Sequence, residues 1–199
     1  MKKQALLFLF SALSCSYVAA QPVRCRAMPI NVNGTNQSIT VAANASLDFS
    51  TGTVEAWVKT KRGLLVLRLP AQPCMVGMAA NPSSASNTRW SFHINQGLSQ
   101  IGIWYGVTSY FFSYSFTTNT LYHVAAVFSG TTVTIYVNGT SVGSSAGGMN
   151  TPSGVSLRIG SSTGTSDYFK GDIDEVRLWN VARTAQQIRG GHAPHAYRE

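Results

Sequence analysis

Hydrophobic and polar residues alternate with a period of two along most of the chain, and helical periodicity is nearly absent. In the clearest run, TVEAWVKT at residues 53–60, a small apolar residue occupies every second position between 54 and 58. Six further runs are short and rich in aromatic and β-branched residues: WSFHI, QIGIWYGV, YFFSYSF, LYHVAAVF, TVTIYV and VSLRIG. Clusters of Gly, Ser, Thr and Asn separate the runs. About ten short strands of this kind predict an all-β fold in which two antiparallel sheets form a sandwich.

Two local patterns are more specific. Asn138 and Gly139 stand between two alternating runs, and both central residues of a type I′ turn need positive φ, which Asn and Gly tolerate best. The sequence therefore predicts a tight hairpin there. Near the C-terminus, residues 184–189 are predicted to form one short helix. Thr184 would cap it, and Gln187 would reach back from the third helical position.

The N-terminus has the composition of a secretory signal peptide. Lys2 and Lys3 precede an apolar run at residues 5–13, and small residues lead up to Ala20. Cleavage after Ala20 predicts a protein that is secreted, periplasmic or held at the cell surface. A membrane anchor is the alternative, but spanning a bilayer takes about 20 apolar residues. The resulting division is a signal peptide at 1–20, an N-terminal leader at 21–30, one domain at 31–188 and a flexible tail at 189–199.

The charge balance is basic without a dense basic surface. Removing Lys2 and Lys3 leaves 13 of the 15 basic residues against seven acids, a net charge of +6. These basic residues are scattered, and only the segment at 59–62 is dense. With no zinc-ligand spacing and no basic helix, nucleic acid is not an expected partner.

Two cysteines remain after the predicted cleavage, Cys25 and Cys74. An even number of cysteines in an exported protein favours a disulfide. This bond would close a loop of about 50 residues and stabilise the fold by about 4 kcal/mol in the chain-entropy model. Two buried free thiols are the alternative.

Three segments together resemble a known family. They are STGTVEAWVKT, LYHVAAVFSGTTVTIYVNGTSVG and FKGDIDEVRLWNVARTAQQI, and they occur in the same order and spacing as in laminin G-like domains. These jelly-roll domains belong to the concanavalin A-like lectin and glucanase superfamily, to which the pentraxins are related. The resemblance covers residues 31–188 and departs from the usual pattern at Tyr122, where Trp is commoner. It implies a two-sheet jelly-roll sandwich with one short C-terminal helix.

The acidic segment at the end of the domain raises the question of catalysis. Retaining glycosidases need two carboxyl groups about 5 to 5.5 Å apart. The glucanase branch of the superfamily places Glu-x-Asp-x-(x)-Glu on one strand, and Asp172, Asp174 and Glu175 do not match that pattern. We therefore expect no enzymatic activity, with a glycoside hydrolase as the remote alternative. Arg177 is instead expected to pair with Glu55 on the adjacent strand.

Asp174 has a second interpretation. Strict alternation places it on the same face as Val176 and Leu178, and a carboxylate that enters a core must be paired, hydrogen-bonded or bound to a metal. The family resemblance implies that Asp174 is a ligand of one structural calcium ion, completed by backbone oxygens near Asn33 and Gly34. The alternative is that Asp174 caps backbone amides at a strand end.

An aromatic stretch supplies the candidate ligand-binding residues. Exposed rings bind sugars through their apolar faces, and Trp and Tyr add a polar group. Trp104, Tyr105 and Tyr110 are the candidates, and Trp104 is favoured because Gly102 would leave the sheet open beside its ring. Packing in the core is the alternative, since Tyr110, Phe112, Tyr114 and Phe116 are spaced by two, as on a buried face.

Two classes of function fit these observations. The first is a secreted, non-catalytic glycan-binding or adhesion module, and the second is a protein-interaction or structural module that binds no sugar. The expected partner is a glycan or an extracellular protein, and the sequence leaves the oligomeric state open.

Overall fold

The computed structural model describes residues 29–61, 73–79, 88–95, 99–106, 108–148, 154–164 and 167–191 of the 199-residue chain. The predicted signal peptide, Cys25 and most of the leader and tail lie outside these ranges. The first described strand begins at Ile30, one residue before the predicted start of the domain. No helix among the described residues is long and apolar enough to span a membrane.

The described residues form twelve strands and one short α-helix, which confirms the predicted sandwich. The strands are β1 (Ile30–Asn33), β2 (Ile39–Val41), β3 (Gly52–Thr60), β4 (Cys74–Ala79), β5 (Thr88–Asn95), β6 (Gln100–Tyr105), β7 (Thr108–Ser113), β8 (Leu121–Ser129), β9 (Thr132–Val137), β10 (Thr140–Ala146), β11 (Leu157–Ile159) and β12 (Lys170–Trp179), and the helix is α1 (Ala185–Gly191). Sheet A has the order β1-β12-β3-β8-β9-β10, and sheet B the order β2-β11-β4-β5-β6-β7. Neighbouring strands within each sheet pair antiparallel.

The core lies between the two sheets and follows from the alternation. Val54, Ala56 and Val58 of β3 are buried in it, as every second residue of a half-buried strand should be. Sheet B contributes Trp90, whose ring centroid lies 6.1 Å from that of Phe128 in sheet A. Each fully buried large apolar side chain stabilises the fold by about 1.5 to 3 kcal/mol. This core therefore holds the two sheets together.

The predicted hairpin is confirmed between β9 and β10. Asn138 and Gly139 both have positive φ, 49° and 75°, as a type I′ turn requires. Gly139 is also needed for space, because a Cβ there would lie 2.6 Å from Cγ of Arg189. The turn thus lies directly against α1.

The predicted cap of α1 is confirmed as well. The backbone N–H of Gln187 donates to Oγ1 of Thr184 at 3.2 Å, and the backbone N–H of Thr184 donates to Oε1 of Gln187 at 2.9 Å. Ile188 of this helix is buried against Ala125 and Val127. The helix therefore covers part of the outer face of sheet A and leaves sheet B on the opposite side of the molecule.

A β-bulge interrupts β12. Between Asp174 and Arg177 this strand contains one residue more than β3 does over the same distance. The extra residue is accommodated at Glu175, whose φ of 47° is uncommon for any residue other than Gly, Asn or Asp.

The bulge changes which side chains share a face. Ile173, Val176 and Leu178 are all buried in the core, although strict alternation would put Ile173 opposite the other two. Asp174 lies on the outer face of sheet A. The prediction that Asp174 shares a face with Val176 and Leu178 is therefore wrong, because the extra residue shifts the alternation by one.

Candidate functional site

The outer face of sheet B carries a row of side chains that crosses five strands. These outer-row residues are register partners of one another: Arg158, Gly77, Ser91, Trp104 and Ser109. Their sequence neighbours Val76, Phe92 and Ile103 point into the core, so the outer row points away from it. Neighbouring strands lie about 4.8 Å apart, which separates the backbones of Arg158 and Trp104 by about 14 Å.

Trp104 is the large side chain of the outer row. It is half-buried, and it lies outside the core cluster that contains its neighbour Ile103. The structure therefore places Trp104 on a solvent-facing side of the sandwich, as the sugar-platform hypothesis requires. Whether it binds a ligand stays a prediction.

At Ser91 and beside it the outer face of sheet B is closed by packed side chains. Ser91 and His93 are only 3% and 2% exposed, and Nε2 of His93 lies 2.7 Å from Oγ of Ser91. The ring of Phe111 lies 6.4 Å from the His93 ring. A Cβ at Gly102 would collide with this Phe111 ring, so glycine is required there. The face is thus a packed polar and aromatic floor with Trp104 at its margin.

At the other end of the outer row, Arg158 meets a loop of hydroxyl side chains. Its Nη1 donates to the carbonyl oxygen of Ala79 at 2.9 Å, which fixes the guanidinium near the strand. In the loop, Oγ of Ser162 donates to Oδ2 of Asp167 at 2.9 Å, and Oγ of Ser161 accepts from the backbone of Gly164 at 2.8 Å. This end of the face therefore carries the Arg158 cation beside a loop whose serines are buried, whereas the Trp104 end carries an aromatic ring.

Tyr105 and Tyr110 do not join Trp104. Successive residues of a strand point to opposite faces, so Tyr105 points toward sheet A rather than outward. Its ring stacks on that of Tyr110 at 5.8 Å, and its hydroxyl donates to the carbonyl oxygen of Ala146 in sheet A at 3.4 Å. A Cβ at Gly147 would lie 2.8 Å from the Tyr105 ring. The three predicted ligand-binding residues therefore divide between two places, and the tyrosines help to close the side of the sandwich.

The predicted calcium ligands are not brought together either. The register of β1 with β12 puts Asn33 opposite Lys170, four residues from Asp174. At about 3.3 Å per residue, Asn33 and Gly34 lie about 13 Å from Asp174, too far for one ion to bind both. Within the described ranges, no three His, Cys, Asp or Glu side chains are grouped closely enough to hold a metal. The proposed ligand set is thus incompatible with the strand register.

Asp174 instead makes the contact expected of a backbone cap. Its Oδ1 accepts a hydrogen bond from the backbone N–H of Glu175 at 2.8 Å, inside the bulge. Partial burial raises the pKa of Asp174, and the nearby Glu175 raises it further. The carboxylate therefore stabilises the left-handed turn of the bulge while bearing a desolvation cost.

Asp172 lies in the opposite electrostatic environment. Its carboxylate accepts from Nζ of Lys59 and Nζ of Lys61, both at 2.9 Å, and from the side chain of Asn31. Burial alone would raise the pKa of Asp172, but these hydrogen bonds outweigh it and hold the pKa below its usual value. Asp172 is therefore a structural anion that joins three strands.

The expected contact between Glu55 and Arg177 is present, but it is the minor part of a larger buried network. Glu55 is fully buried, and Nη1 of Arg183 donates to its two carboxylate oxygens at 2.6 and 2.7 Å. The indole N–H of Trp179 donates to Oε1 at 2.8 Å, whereas Nη1 of Arg177 lies 3.8 Å away. The guanidinium of Arg183 also lies over the Trp179 ring at 4.4 Å. The sequence indicates that Glu55 lies on a buried strand. It gives no signal that Arg183, which follows the last strand, neutralises this acid.

Cys74 is fully buried at the start of β4. Burial raises the pKa of its thiol well above the usual value, with a further contribution from Asp167. It forms no disulfide with a described residue, and Cys25 lies outside the described residues. The Cys25–Cys74 disulfide therefore stays a prediction.

Comparison with solved structures finds the same fold in carbohydrate-related proteins. Domain 4 of AbnA, an extracellular arabinanase of family GH43 from Geobacillus stearothermophilus solved with arabinotriose, is 22% identical. The match covers 81% of this chain and 75% of that one with a TM-score of 0.62. A candidate carbohydrate-binding protein from Bacteroides ovatus is 24% identical over 79% of this chain, with a TM-score of 0.61, and the match spans less than half, 45%, of that protein.

A third similar structure is the heptameric SAP-like pentraxin from Limulus polyphemus. It is 16% identical, with 79% of this chain and 82% of that one covered and a TM-score of 0.54. At these identities the likeness shows a shared fold. No curated protein sequence matches this chain.

A laminin G family model matches residues 33–189, about four-fifths of the chain, and is described as concanavalin A-like lectin/glucanases superfamily. The match includes both sheets, the outer row and the buried Glu55 network. The chain therefore belongs to the laminin G-like family of the concanavalin A-like lectin/glucanase superfamily.

Proposed function

We propose that this chain is a secreted, non-catalytic module that binds glycans on the outer face of sheet B. The observation that carries the proposal is the position of Trp104, which is half-buried on an outward face and flanked in register by Ser91 and Ser109. An indole ring supplies the apolar surface on which a sugar ring stacks, and the hydroxyl of the partly exposed Ser109 can help to orient it. Arg158 adds a cation at the far end of the same row.

Two of the similar structures support this assignment. The arabinanase domain was solved with arabinotriose, and the Bacteroides ovatus protein is a candidate for carbohydrate binding. A neutral oligosaccharide such as an arabinan fragment is accordingly the first ligand class to test. The fold also occurs in the superfamily's enzymes, so the non-catalytic assignment rests on the residues rather than on the fold.

The environments of the carboxylates favour binding without hydrolysis. A glycosidase needs one carboxyl group as acid and another as nucleophile or base. Glu55 is neutralised by Arg183, Glu175 by Arg177, and Asp172 by its two lysines. Asp174 has a raised pKa, but its near neighbour Asp172 is held by other contacts. We expect no glycan cleavage, and cleavage that is lost in Asp174→Asn would contradict this part of the proposal.

Export is the third part of the proposal, and it rests on the first 20 residues. If the chain is exported, Cys25 and Cys74 can oxidise. Mass spectrometry of a non-reduced digest should then find the two peptides joined. Alkylated thiols at both positions in the exported protein would refute the disulfide.

Binding is tested by titration calorimetry against a panel of oligosaccharides that includes arabinotriose. Trp104→Ala should weaken binding by about tenfold or more, because ring stacking contributes about 0.5 to 1.5 kcal/mol beyond area burial. Trp104→Phe should retain most of the affinity. Tyr136→Ala, which removes a half-buried ring from the outer face of sheet A, is the matched control and should bind like the parent. A folded chain that binds no glycan of the panel would instead favour a protein-interaction module.

A further inference from the structure

The outer face of sheet B is open on one side only. On the β4 and β5 side it is closed, because Gly77 and Ser91 are both buried. On the β6 and β7 side, Trp104 and its register partner Ser109 are both partly exposed. A ligand that contacts Trp104 can therefore extend over β6 and β7, whereas the outer row toward Arg158 is blocked at Ser91.

The alternation of β7 brings a second ring to this open side. Phe112 is the register partner of the buried Ile101 and packs against the core. Its neighbour Phe111 therefore points to the opposite, outer face. Phe111 is partly exposed and is not among the side chains that form the core or pack against it. Phe111, rather than the predicted Tyr110, thus shares a face with Trp104.

Trp104 and Phe111 are diagonal neighbours across the β6–β7 pair. Trp104 is in register with Ser109, and Phe111 follows two residues later on the same face. Diagonal positions of this kind lie about 7 to 8 Å apart. One sugar that stacks on the indole ring does not also cover a second ring at that separation, whereas two consecutive sugars of a chain can cover both.

Uncharged polar side chains accompany the two rings. Ser109 lies beside Trp104, and Gln100 and Ser113, which pair with each other, follow on the outer face beyond Phe111. Strands β6 and β7 contain no Asp, Glu, Lys or Arg. The open side therefore offers ring faces, hydroxyl groups and an amide, a combination that suits a neutral sugar chain rather than an anionic one.

We propose that Phe111 is a second stacking residue of the glycan site, which takes a neutral chain of at least two sugars across β6 and β7. This inference rests on the proposed function and adds to it the length and the direction of the bound chain. The chain runs from Trp104 toward Phe111 and away from Arg158.

The packing beneath Phe111 holds its ring in place before a ligand binds. A Cβ at Gly102 would lie 2.8 Å from Cδ1 of Phe111, so the ring lies close against the backbone of β6. The centroid of the His93 ring is 6.4 Å from that of Phe111. A side chain that is already ordered loses little conformational entropy on binding, which favours a stacking role.

The dependence of affinity on ligand length tests the proposal. The ligands are arabinose, arabinobiose and arabinotriose, or the corresponding members of whichever neutral series of the panel the parent binds. The parent should bind the trisaccharide about tenfold or more tightly than the monosaccharide, because a second ring adds a second stacking contact. Phe111→Leu keeps an apolar cover over Gly102 but lacks a flat ring. It should lose most of this length advantage and bind the monosaccharide like the parent, whereas Phe111→Tyr should retain the advantage.

Phe112→Leu is the matched control, since it makes the same substitution at the next residue, whose ring packs against the core. It should lower the melting temperature and leave the length advantage intact. If Phe111→Leu weakens all lengths equally, or keeps the full length advantage, Phe111 is not a stacking residue and the proposal is overturned. A parent without any length advantage overturns it too, while the glycan-binding function stands. A parent that binds no glycan refutes that function itself.

NMR of the parent chain gives a second test that requires no substitution. The ring protons of Trp104 should shift with the monosaccharide and with the trisaccharide, and those of Phe111 should shift when the trisaccharide is added. A trisaccharide that shifts signals of Arg158 and leaves those of Phe111 unchanged would show that the chain runs the other way, and it would overturn the proposal.

Discussion

The two outer faces of the sandwich are built in opposite ways. Sheet A presents charged side chains to its outer face and then covers or pairs them, with Arg183 on Glu55 and two lysines on Asp172. Sheet B presents an uncharged row around Ser91 and Trp104, with Arg158 only at its far end. The face that carries α1 is therefore held together by buried ion pairs, whereas the opposite face is packed by uncharged side chains and leaves Trp104 half-buried at its margin. The difference between the two faces favours sheet B for the proposed glycan site.

The largest expected effect on stability comes from breaking the ionic network of sheet A. Glu55→Gln leaves the guanidiniums of Arg183 and Arg177 without their buried anion, and we expect a loss of about 3 to 5 kcal/mol in the free energy of unfolding. Urea denaturation measures it. Glu175→Gln removes a partly exposed partner of Arg177 and is the matched control, with an expected loss of about 1 kcal/mol or less. Similar losses for both variants would mean that the Glu55 network does not anchor the C-terminal segment.

The second-largest expected effect is a difference in stability loss between two tryptophan variants of adjacent strands in sheet B. Trp90 is fully buried in the core, so Trp90→Ala should cost about 3 to 5 kcal/mol. Trp104 points outward and is half-buried, so Trp104→Ala should cost about 1 kcal/mol, near the centre of the range for point mutants. Thermal melting of both variants checks the difference. An equally large loss at Trp104 would make it a structural residue and remove the main support for the sugar platform.

A smaller effect concerns Asp172 and has a defined pH dependence. Asp172→Asn should lower the free energy of unfolding by about 1 to 2 kcal/mol at neutral pH, because hydrogen bonds from two ammonium groups are lost. The pKa of Asp172 is lowered in the folded state, so its contribution is complete above the unfolded-state pKa. It is lost as the pH falls through the folded-state pKa. Unfolding curves of parent and variant should therefore converge on acidification, and a gap that persists at low pH would show a non-ionic origin.

The smallest expected effect on the free energy of unfolding is a gain rather than a loss. The pKa of Asp174 is raised in the folded state, so its charge costs stability above that pKa and costs nothing below the unfolded-state pKa. Asp174→Asn keeps an acceptor for the N–H of Glu175 and removes the charge. We expect a gain within about 0.5 kcal/mol at neutral pH that disappears on acidification. A clear loss of stability at neutral pH would mean that the Asp174 charge itself is needed in the bulge.

Much of the fold could be predicted because local rules and tertiary packing agree. The alternation of β3, the turn at Asn138 and Gly139, and the Thr184 cap each depend on a few adjacent residues. None of these features requires knowledge of a distant contact. Local sequence therefore suffices where the structure is local.

The candidate site was harder because it depends on which face each side chain takes. In β12 the buried residues Ile173, Val176 and Leu178 are spaced by three and then by two, and this break in period is the sequence signal of the bulge. Reading the strand as regular put Asp174 on the wrong face. Trp104 and Tyr105 show the same limit. The two residues are adjacent in sequence and were predicted to form one binding site, but in the strand their rings point to opposite faces of the sheet.

The link between Glu55 and Arg183 also has a consequence for when the protein can fold. The two residues are 128 positions apart, and β3 lies in sheet A between β12 and β8. The pairing of β3 with β12 and the Glu55–Arg183 contact therefore cannot form until residue 183 has been synthesised. Long-range pairing of this kind slows folding and leaves strand edges exposed meanwhile. If the chain is exported, as its first 20 residues predict, the delay would be useful, because a chain still unfolded at the membrane can be threaded across it before β3 and β12 pair.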